Sequence, residues 1–199
     1  MAHTRKGDLM PRRKTISDEE ILDRALPLMA SAWPAGFTLA DLGRELGIAP
    51  ATLLQRFGDK QTLIERAFSR DNERFVQWIE DLPTGVGADV VIKIYSDATK
   101  LFGDNPNLAD HLLWLREDIR DPMMNRLSLE RFKLFRAAIV KRLPPMRVPA
   151  NTAARLLDAQ YHGAVVQWAL EPRGRLYDFM KRSLRDWFRL SGNLAPRAR

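Results

Sequence analysis

Side chains able to do chemistry are few in this chain, and their spacing suits recognition better than catalysis. The run DHLLWLRED pairs Asp110 with Glu117 and His111 with Asp118, seven residues apart and so on roughly one helix face. Two turns is long for a metal pair, since a zinc helix sets its two histidines four residues apart. Cysteine is absent, which removes thiolate ligands, disulfides and a cysteine nucleophile. No Ser-His-Asp grouping, phosphate-cradling glycine loop or dinucleotide turn occurs. No catalytic residue, metal or cofactor is therefore expected, and a helical enzyme using the 110–118 cluster stands only as an alternative.

Polar side chains of another kind gather in TLADLGRELGIAPATLLQRFGDK, residues 38–60. Thr52, Gln55, Arg56 and Lys60 follow a stretch whose apolar residues, Leu39, Leu42 and Leu46, recur at helical spacing. Thr38 and Asp41 have the spacing of a capping box. Gly47 suits an abrupt helix end in the left-handed conformation, and Pro50 suits the first turn of the next helix. Gly43 is small where two crossing helices approach. Leu39, Leu42, Leu46, Ile48, Leu53 and Phe57 would hold the pair, which reads as a helix-turn-helix.

The elements around it follow from the same signals. Ser17 with Glu20 caps a helix whose apolar face is Ile21, Leu22, Ala25, Leu28 and Met29, with Pro27 inside. Asp59 can cap a longer helix to about Glu80. DLPTGVGA, residues 81–88, reads as a linker. Helices are expected at about 89–103, 107–120, 122–142, 150–170 and 174–191, which makes an all-α chain of about nine helices. The divisions are a basic arm over 1–16, a helix-turn-helix unit over 17–60 with a bridging helix over 60–80, a larger unit over 81–192, and a disordered tail over 193–199.

Composition bounds the partners. The chain has 199 residues, a formal net charge of +7 and 45% hydrophobic residues, enough for a real core and biased towards polyanions. No apolar run approaches the roughly 20 residues that span a bilayer. A soluble, cytoplasmic protein without membrane contact is expected.

Residues 17–70 resemble the DNA-binding domain of the TetR family of bacterial transcriptional regulators. ILDRALPLMA, then TLADLGRELGIAPATLLQRFGDKQTLIERAF, carry the likeness, with threonine opening the second helix and Phe-Gly-Asp-Lys closing the third. Where that family often has Tyr-Tyr-His before the phenylalanine, this chain has Leu54, Gln55 and Arg56. Trp33-Pro34 stands where a glycine is more usual.

In such a unit the second helix enters the major groove by its N-terminal half. Pro50 and Ala51 offer apolar contact, Thr52 a base or phosphate contact, and Gln55 a donor–acceptor pair for adenine. Arg56 and Lys60 are assigned to phosphates, as is Thr38 at a helix N-terminus; Arg44 on the outer face and Arg12 and Arg13 of the arm complete the set. Leu54 pointing inward would be core, the reading adopted; pointing outward it would touch a thymine methyl.

One unit contacts few base pairs, so a homodimer on a pseudo-palindromic operator in double-stranded DNA is expected. The resemblance places its interface on the last two helices, through Leu156, Ala159, Gly163, Val166, Leu184, Trp187 and Phe188; the alternative is that these residues close a monomeric bundle. It also implies an enclosed pocket for an unknown small-molecule effector, with Tyr95, Phe102, His111, Trp114, Met124, Phe132, Tyr161 and Trp168 as its candidate lining. Aromatics at this spacing equally make plain core. The implied role is a repressor released from its operator by the effector; a DNA-binding protein without a ligand is the alternative.

Overall fold

In the computed structural model, residues 16–32, 36–102, 115–116 and 118–192 are described. Arg12, Arg13, Trp33, Pro34, Asp110, His111, Trp114, Glu117, most of the expected helix at 107–120 and the tail at 193–199 lie outside them, as does the side chain of Phe102. The architecture is all-α, with no strand among the described residues. We number the α-helices α1 (Asp18–Ala32), α2 (Leu39–Leu46), α3 (Pro50–Phe57), α4 (Lys60–Glu80), α5 (Ala88–Ala98), α6 (Pro122–Val140), α7 (Ala150–Leu170) and α8 (Leu176–Leu190).

The helix ends have local causes. The Ser17 hydroxyl accepts the Glu20 amide at 3.1 Å, and three acidic residues in the first turn of α1 complement its dipole. Asp59 accepts the Thr62 amide at 2.7 Å and starts α4. α5 stops at Ala98, short of the expected 103, and a 3-10 turn follows over Thr99–Phe102. There the Thr99 hydroxyl donates to the Ser96 carbonyl at 2.6 Å, satisfying an oxygen that a continuing helix would have used. α6 ends at Val140, where the Arg142 guanidinium donates to the Ala138 carbonyl at 2.8 Å.

Two cores form. In the first, Ile21, Leu22, Ala25, Met29, Phe37, Leu42, Leu53, Phe57, Leu63, Ile64 and Ala67 join α1 to the start of α4. The second gathers Tyr95, Ile139, Leu157, Tyr161, Met180, Leu184 and Phe188 from α5 to α8. α5 lies against α8, α7 against α6 and α8, and α4 against both α1 and α6.

Two helices reach between the cores. α4 gives Leu63, Ile64 and Ala67 to the first and Trp78 and Ile79 to the second. α6 gives Met123 to the first and Phe135, Ala138 and Ile139 to the second.

Candidate nucleic-acid interface

The turn between α2 and α3 is fixed by two glycines. Gly47 sits at φ 66° and ψ 30°, in the left-handed region, and its amide donates back to the Gly43 carbonyl. The Ile48 amide donates to the same oxygen at 2.9 Å. At Gly43 a Cβ would lie 2.6 Å from the Ile48 carbonyl oxygen, so the two helices meet at backbone distance.

At the start of α2 the capping box is complete. The Thr38 hydroxyl donates to the Asp41 carboxylate at 2.5 Å and accepts the Asp41 amide at 3.1 Å, while the Thr38 amide donates to the same carboxylate at 3.2 Å. The Thr38 hydroxyl holds the Asp41 carboxyl below its ordinary range. Both the hydroxyl and the amide of Thr38, assigned from sequence to a phosphate, serve Asp41 in this structure.

α3 buries Leu53 and Phe57 and turns Pro50, Ala51, Leu54 and Gln55 outward, with Thr52 half-buried. Leu54 is 45% exposed, which corrects its placement in the core. Leu53 and Phe57 already fill the inner line, and Leu54 follows Leu53 by about 100° around the axis. Its carbonyl still accepts the Gly58 amide at 2.8 Å, closing the helix beneath it.

Arg56 is corrected too. Its Nε donates to Asp18 at 2.6 Å and its Nη1 to the Ile16 carbonyl at 2.8 Å, with the side chain 25% exposed. Rather than facing outward to a phosphate, it ties α3 to the start of α1. Two expected cations do stay at the surface. Arg44 is 78% exposed and 3.2 Å from Asp41, and Lys60 lies 5.6 Å from the centroid of the Phe37 ring.

Behind this face, α1 is bolted to α4. Arg70 donates to Asp23 at 2.7 Å and to Glu19 at 3.1 Å, Arg74 donates to Asp23 at 2.5 Å, and Arg66 reaches Asp18 at 3.5 Å. The hydrogen bond from Arg70, helped by Arg74, holds the Asp23 carboxyl below its usual range. Sequence reasoning missed this lock; its signal is Asp18, Glu19 and Asp23 on α1 facing Arg66, Arg70 and Arg74, each set at helical spacing.

The larger unit has a polar centre that sequence reasoning also missed. Tyr95 donates to Asp158 at 2.6 Å, and Arg136 donates to the other carboxylate oxygen at 2.9 Å. Asp158 is 6% exposed. It is the sole acidic residue of α7, and that was its signal in the sequence. Of the residues proposed to line a pocket, Tyr95 and Tyr161 touch at 5.3 Å between ring centroids, and Phe132 lies 5.4 Å from the His162 ring. Burial raises the phenol pKa of both tyrosines. Met124 is buried on α6. Trp168 is elsewhere, its indole N–H donating to the Gly174 carbonyl at 3.1 Å across the α7–α8 turn.

On the outer side of α7 and α8, Leu156, Ala159, Gly163 and Val166 are exposed and Trp187 is half-buried. An open groove of about 430 Å³ runs there between Gln160, Phe179, Ser183, Trp187 and Leu190. Leu184 and Phe188 are fully buried in the chain's own core, which corrects their assignment to an intermolecular face. Of the 110–118 cluster only Asp118 is described, its carboxyl pKa raised by burial. No group of three potential metal-binding side chains occurs among the described residues. No described helix is long and apolar enough to cross a membrane.

Residues 21–67, from the buried face of α1 through the first turns of α4, match the family described as bacterial regulatory proteins, tetR family. That stretch is a tetR-family domain. A search of curated proteins gave no match. Solved structures similar to it include a transcriptional regulator from Rhodococcus sp. Rha1, with 15% identity, a TM-score of 0.69, and coverage of 91% of this chain and 100% of that one. A regulator from Saccharomonospora viridis in complex with choline is similar at 20% identity and a TM-score of 0.67, over 86% and 95% of the two chains. FadR from Bacillus subtilis, in complex with stearoyl-CoA, is similar at 12% identity and a TM-score of 0.65, over 90% and 100%. At these identities the likeness is one of fold, and the shared all-α fold spans both cores of the chain.

Proposed function

We propose that this TetR-family regulator binds a pseudo-palindromic operator as a homodimer and is released from it by a small molecule, acting as a repressor. The single observation that carries this reading is the outward face of α3. Pro50, Ala51, Leu54 and Gln55 stand free of the core, on a helix held from behind by buried Leu53 and Phe57 and by the Arg56–Asp18 pair. In a helix-turn-helix this outward face of the second helix is the one that meets base edges in the major groove.

Release requires that the effector favour a state in which α2–α3 is displaced, and it weakens DNA binding only by that preference. α4 and α6 are the two routes by which a change in the larger unit reaches α3. The choline and stearoyl-CoA bound by the similar proteins are chemically unlike each other, so the fold sets no ligand class. A second reading, a DNA-binding protein without an effector, draws support from the mutual packing of Tyr95, Tyr161 and Phe135.

Selection of bound duplexes from a random library, with the protein alone, is the test. An enriched inverted repeat with half-sites about one helical turn apart is the expected result. No enrichment with folded protein would overturn the reading. A metabolite screen against the recovered complex then separates the two versions, since only the first predicts release.

A further inference from the structure

The interface has an unusual balance of chemistry once Arg56 is accounted for. α3 is PATLLQRF, and Arg56 is its one charged residue. That guanidinium is turned back onto Asp18 and the Ile16 carbonyl. The surface left for a groove is neutral: Pro50, Ala51 and Leu54 supply hydrocarbon and Gln55 an amide, with Thr52 half-buried beside them. Positions 51, 54 and 55 are three and four residues apart and so form one patch.

Each base pair offers the major groove a different set of features. Guanine is read best by arginine or lysine, and this patch presents neither. Adenine suits the amide of Gln55. The one strongly apolar feature in the groove is the C5 methyl of thymine. A leucine side chain 45% exposed at this place has that methyl as its natural partner, because burying both removes hydrocarbon from water.

We infer that Leu54 is a specificity-determining residue that reads a thymine methyl, so that the preferred half-site carries A·T pairs under Ala51, Leu54 and Gln55. This rests on reading α2–α3 as a DNA-binding unit and deepens it from "operator DNA" to an operator defined by methyl groups. Phosphate contacts then fall to residues outside α3, Lys60 and Arg44 among them.

The experiment replaces, one at a time, each thymine of the selected operator by deoxyuridine, which keeps base pairing and removes only the methyl. The full-length chain is used, and affinity is measured for wild type, Leu54→Ala and Leu54→Met. Wild type should lose about three- to tenfold at one or two positions per half-site, the scale of one or two buried methyl or methylene groups. Leu54→Met, with similar apolar reach, should keep that loss, and Leu54→Ala should abolish it at one of these positions while still binding the uridine operator. As an exposed position, Leu54 can be shortened without emptying a core, and thermal melting verifies that the variants are folded.

A methyl dependence unchanged in Leu54→Ala, or no methyl dependence at any thymine, would overturn the inference and leave the regulator reading intact. If selection enriches no sequence, both fall together.

Discussion

Gly43 carries a close approach that no other residue type could make without moving backbone. A Cβ there would lie 2.6 Å from the Ile48 carbonyl oxygen, an atom fixed by the turn itself. Gly43→Ala sets two effects against each other. Alanine gains up to about 1 kcal/mol of helix propensity. Overpacking against rigid backbone costs about 1–3 kcal/mol. The clash should win, lowering stability by roughly 1–2 kcal/mol, with urea denaturation as the measurement. A variant as stable as wild type would mean that α2 and α3 can separate without loss. The glycines, the Thr38–Asp41 box and the Asp59 cap were legible in the sequence because each acts within a few residues of itself. Leu54 and Arg56 were not. The outward turn of Leu54 follows from Leu53 and Phe57 claiming the first core, and the inward turn of Arg56 follows from Asp18, 38 residues earlier. Spacing along one helix does not reveal a partner on another.

Among the elements, α6 unites the two cores as a rod of about 28 Å. Near one end Met123 packs into the first core, and at the midpoint Arg131 binds Asp71 and Asn72 of α4, with its guanidinium 5.4 Å from the centroid of the Phe75 ring. Near the other, Ile139 is fully buried in the second core and Arg136 holds Asp158. Helix limits were largely readable from caps and breakers, and the second bridge was not, because it depends on which faces of α4 and α6 meet. We expect Arg131 to set the angle between the two units. The absence of cysteine makes this measurable with spin labels at Glu45 on α2 and Asp89 on α5, both exposed, with labelled protein diluted into unlabelled. Wild type should give a narrow distance distribution, and Arg131→Gln a broader or shifted one. Combining Arg131→Asp with Asp71→Arg should narrow it again, a rescue that simple loss of packing would not produce. Equal widths in wild type and Arg131→Gln would show that α4 alone sets the geometry.

At the scale of the whole molecule, the proposed two-fold operator requires a second copy of the chain and a face to hold it. Leu156 and Val166 are 44% and 37% exposed on α7, while Leu190 at 88% and the half-buried Trp187 extend the same side on α8. Leu184 and Phe188 already fill the chain's own core, so α8 retains its fold whether or not a partner covers that side. This separation makes the interface testable without unfolding the subunit. Val166→Glu, alone or with Leu156→Glu, places a carboxylate where a second copy would exclude water, and should weaken dimerisation by at least about thirtyfold. Sedimentation velocity at low micromolar concentration should then show wild type as a dimer and the variant as a monomer with an unchanged melting temperature. Operator affinity should fall with it, because each half-site would have to be bound without help from the other. Residual binding to non-specific DNA should keep its salt dependence per subunit, since Lys60 and Arg44 lie on the other unit. A wild-type monomer at these concentrations would refute the two-fold arrangement, and a dimeric Glu variant would move the interface to another face of the chain.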